Sequence, residues 1–391
     1  MDQFGAIRPY NDDEIRPVLD KLVDNPEFVH SIAVFNHPRL ARLLPAATAA
    51  LARYKLSRQF RHVHNVASMQ DVIAGYMDKM IEDTTTGLTH SGLDNLEEGR
   101  SYLFISNHRD ITMDPAFVNY MLYHAGFETL QIAIGDNLLK KPFVSDLMRL
   151  NKSFIVRRSL KGRELLKALT LLSQYIHHCI ESGHNVWIAQ REGRAKNGVD
   201  RTDPALVKML AMAHRGLPLG DSIGRLHVVP VAISYEYDAC DVLKAEELYQ
   251  LESTGSFVKD DRSDIQSIVT GMIGFKGRVH VAFGSEIGKS LPLSNDPERI
   301  AREIDQQILA SYRLHDNNFL ALEKLQESGL VDVPELEPTV AEYRPDVLAR
   351  QKFEARLAKV DSHLHKHYLS MYANPAINRF AVGAELFAVE E

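Results

Sequence analysis

Over residues 1 to 92, apolar positions recur at steps of three and four, which predicts a helical segment without strands. From about 98 to 290 the pattern changes. Short apolar runs at 103–106, 131–135, 153–157, 186–190, 226–235 and 278–283 read as strands, and stretches at 142–150, 159–182 and 204–214 read as helices between them. This alternation predicts an α/β domain with a central mixed β-sheet flanked by helices. After 290 the helical period returns. Asp296-Pro297-Glu298-Arg299 opens a helix, 330–338 is a proline- and acid-rich linker, and 340–370 reads as one long charged helix. Three regions are expected: helical over 1–95, α/β over 96–290, and helical over 291–391.

Composition narrows the class. The chain has 391 residues, 45% of them hydrophobic and 25% charged, so it is an ordinary globular protein. Its net charge of −7 excludes a general attraction to nucleic acid, and any anion site must come from local clustering. Cys179 and Cys240 are its only cysteines, which fits a reducing compartment. The acidic start Met1-Asp2-Gln3-Phe4-Gly5 lacks a secretory profile, and no window approaches the ~20 apolar residues of a bilayer span. A cytoplasmic protein is expected, either free or peripheral on the membrane.

Charge is unevenly spread. Between Glu27 and Asp71 there is no acidic residue, while Arg39, Arg42, Arg53, Lys55, Arg58 and Arg61 all fall inside. With Leu40, Leu43, Leu44, Leu51, Tyr54, Leu56 and Phe60, residues 28–70 suit peripheral contact with an anionic membrane, or equally a solvated helix packed on the main domain. His62, His64, His177, His178 and His184 lack the carboxylate or thiolate company of a metal site in sequence, so no metal is expected. His363, His365 and His367 read as a solvated face.

Four stretches carry candidate chemistry. In Ser106-Asn107-His108-Arg109-Asp110-Ile111-Thr112-Met113-Asp114-Pro115, a histidine and two aspartates lie on a strand-to-helix turn, with Asp114 as expected N-cap before Pro115. The second runs from Gly135-Asp136-Asn137-Leu138-Leu139-Lys140-Lys141-Pro142 to Arg157-Arg158, a local positive field of the kind a phosphate monoester needs. The third places Glu192-Gly193 directly after a strand, followed by Arg194. In the fourth, Pro230 lies inside a strand, which predicts an edge or a bulge there. Gly216, Gly220 and Gly224, with Pro218, read as a loop, and Gly220-Asp221-Ser222 is not a hydrolase nucleophile block.

A histidine base held by a carboxylate is what an acyl transfer from an activated thioester to an alcohol requires. Backbone amides at the helix start are candidate donors to the tetrahedral oxyanion. No G-x-S-x-G elbow, Walker loop or dinucleotide fingerprint occurs, so serine acyl-enzyme, nucleotide-hydrolysing and hydride-transfer classes lack support.

Taken in order, Asn107-His108 with a downstream aspartate, Phe154-Ile155-Val156-Arg157, Glu192-Gly193 and Pro230 resemble the glycerolipid acyltransferase family, which acylates glycerol phosphate and lysophosphatidate. The resemblance covers roughly residues 100 to 235. It implies a glycerol-3-phosphate acyltransferase-like fold and no cofactor beyond the donor substrate, acyl-CoA or acyl carrier protein. It implies His108 as general base, Arg157 with Arg158 as phosphate clamp, and Glu192, Gly193, Arg194 and Asn107 at the acceptor. The family places four residues between histidine and aspartate. Here five separate His108 from Asp114 and one separates it from Asp110, so either is a candidate orienter, with Asp114 favoured. The family's third-motif arginine follows the glutamate by three residues, whereas Arg194 follows Glu192 by two. Lysophosphatidate is the first expected acceptor in phospholipid synthesis. Another lyso-lipid, such as an amino-acid lipid, or a non-catalytic lipid-binding relative are the alternatives.

Overall fold

The structure, a computed structural model, describes residues 2–139, 141–257 and 263–382. Lys140 in the basic second stretch, and residues 383–391 at the end of the expected C-terminal region, lie outside the described residues. The chain divides into two compact units, Met1–Met77 with Gln131–Tyr175, and Asp78–Leu130 with Ile176–Glu391. The expected boundaries at 95 and 290, drawn where the hydrophobic pattern changes, do not coincide with this division.

Seven strands occur among the described residues: β1 (Thr85–Ser91), β2 (Leu103–Ser106), β3 (Gln131–Gly135), β4 (Ser153–Val156), β5 (Val186–Ala189), β6 (Val228–Tyr235) and β7 (Gly277–Phe283). In the larger unit five of them form a mixed sheet in the order β1-β7-β6-β2-β5. Only β6 and β7 run antiparallel; β2 is parallel to both β5 and β6, and β1 is parallel to β7. All four residues of β2 and all eight of β6 are buried, which explains why they read as unbroken apolar runs. The sheet and its helices therefore realise the expected α/β class.

The smaller unit carries β3 and β4 as a parallel pair, joined through the helix Pro142–Leu150. Its core sets Ile15, Leu19, Phe28, Ala52, Leu56 and Phe60 from the N-terminal helices against Phe143 and Leu150.

Five expectations need correction. β1 lies in a region expected to be wholly helical. Its sequence, Thr-Thr-Gly-Leu-Thr-His-Ser, is polar and mostly exposed on an edge strand, so no apolar period marks it. β6 is an interior strand with no register shift, although it contains Pro230. The antiparallel ladder to β7 begins only at Val231, and Pro230 contributes just its carbonyl, which accepts from the Gly284 amide at 2.8 Å. Leu219–Gly224 is a short helix rather than a loop. The single helix expected over 340–370 is three, Pro338–Glu342, Val347–Leu357 and His365–Phe380, interrupted near Pro345 and again over 358–364. Finally, the helix after β2 starts two residues early, at Met113 instead of Pro115, so Asp114 lies in its first turn rather than at its cap.

Candidate active site

The turn after β2 is built by two aspartates with different work. One Asp110 carboxylate oxygen accepts the amides of Thr112 and Met113, both at 2.9 Å, and so performs the capping that sequence assigned to Asp114. The helix Met113–His124 then buries Phe117, Val118, Met121 and Leu122. Gly271 lets a neighbouring helix approach this cap: a β-carbon there would come within 2.1 Å of the Asp110 carboxylate. Burial, and secondly the charge of Asp114, push the Asp110 carboxyl above its ordinary pKa.

Asp114 is fully buried and turns back toward the strand end. Its Oδ2 lies 2.8 Å from His108 Nδ1 and accepts the amides of Arg109 at 2.6 Å and Asp110 at 2.9 Å. Its Oδ1 accepts the Tyr235 hydroxyl at 2.7 Å, a group held well above its usual pKa by burial and then by Asp114. With Nδ1 donating to a carboxylate, the proton on His108 is fixed at Nδ1, and Nε2 keeps its lone pair. The imidazole packs edge-on against Trp187, ring centres 5.8 Å apart, while its side chain stays 15% exposed. An imidazole oriented by a buried carboxylate, and open to solvent on one side, has the geometry that general-base chemistry requires.

The amides of Arg109, Asp110, Thr112 and Met113 are thus all engaged by the two aspartates. The expectation that amides at the helix start bind an oxyanion fails for these four.

β5 ends beside β2, with Ala189 opposite Ser106, and delivers the Glu192-Gly193 turn. The loop is sewn to the histidine strand by Gln190 N–H on the Ser106 carbonyl at 2.9 Å and Ala195 N–H on the His108 carbonyl at 2.8 Å. Gly193 has φ of 76°, a left-handed conformation that an L side chain adopts only with strain. Glu192 and Gly193 are exposed. Arg194 donates from Nη2 to the Ser267 hydroxyl at 3.1 Å, and its buried Nη1 has no partner among the described residues.

Asn107 is fully buried, and its amide side chain clamps β6: Nδ2 donates to the Ile233 carbonyl at 3.0 Å, and Oδ1 accepts the Ile233 amide at 2.8 Å. Arg157 and Arg158 belong to the smaller unit, exposed at the exit of β4, where the Arg158 amide donates to Asp136 Oδ1 at 3.1 Å.

Three participants escaped the sequence reading. Tyr235 could have been found, because alternation along β6 puts 231, 233 and 235 on one face. Trp187 is signalled only by its place in β5. The buried ion pair of Arg109 with Asp200, whose partners lie 91 residues apart, had no local signal.

Residues 87–234 match the family model described as Acyltransferase. The chain is similar to curated proteins named glycerol-3-phosphate acyltransferase. That of Pseudoalteromonas atlantica is 33% identical over 142 residues, covering 36% of this chain and 16% of the relative. That of Actinobacillus succinogenes is 28% identical over 197 residues, covering 50% and 23%. That of Ectopseudomonas mendocina is 24% identical over 265 residues, covering 68% and 29%. The chain therefore spans less than a third of the length of these relatives. A solved structure, the 1-acyl-sn-glycerophosphate (LPA) acyltransferase PlsC from Thermotoga maritima, aligns at 14% identity with a TM-score of 0.34, covering 72% of this chain and 95% of that one. The α/β region around His108 is a domain of the acyltransferase family. The curated proteins that the chain is similar to are named glycerol-3-phosphate acyltransferases, which are glycerolipid acyltransferases.

Proposed function

We propose that the chain transfers a fatty acyl group from a thioester, acyl-CoA or acyl carrier protein, to a hydroxyl of a glycerol phosphate acceptor. The observation that carries this reading is the bond between His108 Nδ1 and a buried Asp114. Nε2 takes the hydroxyl proton as the oxygen attacks the thioester carbonyl. The tetrahedral intermediate then collapses, and the protonated imidazole gives its proton to the departing thiolate. Asp114 stabilises the transient imidazolium. The thioester is already activated, so no enzyme-bound acyl group is needed.

Arg157 and Arg158 are the proposed phosphate clamp. Glu192, Gly193, Arg194 and Asn107 are the proposed acceptor-side residues, Asn107 by holding the turn through β6. Lysophosphatidate came first from sequence, whereas the names of the curated relatives favour glycerol 3-phosphate as a second reading. Thiol release from a long-chain acyl-CoA, measured with each acceptor in turn and with an uncharged lyso-lipid, separates them. Release only with the uncharged acceptor would remove the role of Arg157.

A membrane surface is the proposed source of the lipid substrates. In the smaller unit Leu56 and Phe60 are buried, but Phe35, Leu40, Leu43, Leu44, Leu51 and Tyr54 are exposed, with Leu43 at 74%. The six basic residues from Arg39 to Arg61 are exposed among them. Apolar side chains rimmed by uncompensated cations suit an anionic bilayer face. Among the described residues, no helix is long and apolar enough to cross a membrane.

A further inference from the structure

We propose that His177, Glu181 and His214 form a binding site for one divalent transition-metal ion of the zinc class. Nothing in the acyl-transfer reading uses these residues. His177 and Glu181 stand four apart on the helix Gly162–Glu181, hence on one face, and His214 ends the short helical turn Ala211–His214. All three lie in the larger unit. One candidate ligand atom from each falls within 4.8 Å of the others, and this is the only such grouping among the described residues.

The hydrogen bonding is what marks the cluster. His177 is only 3% exposed, and its Nε2 lies 3.0 Å from the Leu210 carbonyl. A carbonyl accepts, so Nε2 carries the hydrogen and Nδ1 holds a bare lone pair. That Nδ1 is buried without a partner among the described residues, and so is Nδ1 of His214. The two rings stand 4.5 Å apart at 45°. A buried polar atom left without a partner is costly, so two side by side need an explanation. A metal ion bound by both lone pairs supplies one, and the Leu210 carbonyl already holds the first ring as an outer partner holds a ligating histidine.

The ligand set selects the ion. Two imidazoles and one carboxylate suit zinc, cobalt(II) or nickel(II), whereas calcium and magnesium prefer oxygen throughout. Tetrahedral zinc with bonds of about 2.0–2.1 Å places its ligand atoms about 3.4 Å apart. The cluster must close by roughly an ångström, a movement open to the exposed Glu181. A water completes the fourth position. The bound ion would tie the end of one helix to the segment that follows the Glu192-Gly193 loop. Sequence missed the site because the carboxylate is one helical turn from His177 and the second imidazole is 37 positions away.

Full-length protein stripped of metal and titrated with zinc against a chromophoric chelator is expected to take up one zinc per chain with a raised melting temperature. Cobalt(II) should give the visible absorption of a low-coordinate nitrogen and oxygen site. Glu181→Gln, at an exposed position that leaves the core intact, is expected to weaken zinc at least about tenfold, and His214→Ala about a hundredfold. Both should lose the melting shift and the cobalt signal. No stoichiometric zinc in the wild type, or wild-type zinc affinity in either variant, would overturn the site.

Discussion

Replacing Asp114 by asparagine removes a charge but almost no volume. The carboxylate accepts four hydrogen bonds, from His108, Arg109 and Asp110 at Oδ2 and from Tyr235 at Oδ1. Asparagine keeps an acceptor for the first three, and the Tyr235 hydroxyl is free to turn and accept from the new amide. Bonds to a charged acceptor contribute about 1.5–3 kcal/mol and neutral ones about 0.5–1.5, so four together weaken by about 4 kcal/mol. Relief from burying a carboxylate offsets part of that, and a net loss of about 1–3 kcal/mol is expected. The effect on rate is larger, because no charge now stabilises the imidazolium: kcat should fall by about 10²–10⁴ with KM little changed. Asp110→Asn is the control. Its capping oxygen survives and burial already favours its neutral form, so kcat should stay within about fivefold of wild type. Thiol release at saturating acceptor, with melting temperatures run in parallel, reads both variants. An Asp110 variant as slow as the Asp114 variant, or an Asp114 variant of normal rate, would refute the assignment of the orienter.

Arg157→Ala should raise KM for a phosphate-bearing acceptor by about 30- to 150-fold, equivalent to about 2–3 kcal/mol of charged hydrogen bonding, with kcat nearly unchanged; an unaltered KM counts against the clamp. Asp305 is buried and its carboxyl is pushed up to about 7, chiefly by desolvation, while its Oδ1 accepts from the Thr202 amide at 2.8 Å. The folded state then holds a proton that the unfolded chain releases near pH 4, so stability falls as pH rises from about 4 to 7. Asp305→Asn keeps the acceptor and removes this titration. Relative to wild type it should gain up to about 4 kcal/mol between pH 4 and 8 in denaturant unfolding, and parallel pH curves would contradict the cause. Sedimentation with phosphatidylglycerol vesicles should weaken as salt rises and should be lost in the double variant Leu43→Asp, Leu44→Asp. Binding indifferent to salt would remove the electrostatic part.

What the sequence disclosed follows from how local each signal is. β2, β5 and β6 are buried on both faces, so their apolar runs were visible at once. The edge strand β1 buries too little to leave a pattern. His108 and both aspartates lie within seven positions, and their spacing exposed the turn, but it did not say which carboxylate would turn inward. That choice depends on Tyr235, which reaches Asp114 from 121 positions downstream. Proline was read as the mark of an edge or a bulge, yet Pro230 lies in interior β6, the last of its three residues before the β7 ladder begins. His177 looked inert and His214 was not singled out, because their unpaired nitrogens are a property of packing rather than of order along the chain.

Acceptor-dependent thiol release from a long-chain acyl-CoA, compared between wild type and His108→Ala, tests the general-base assignment most directly. With circular dichroism and melting temperature preserved, a fall of at least about 10³ in kcat with either glycerol 3-phosphate or lysophosphatidate is expected. A folded His108→Ala protein that turns over at the wild-type rate would contradict it.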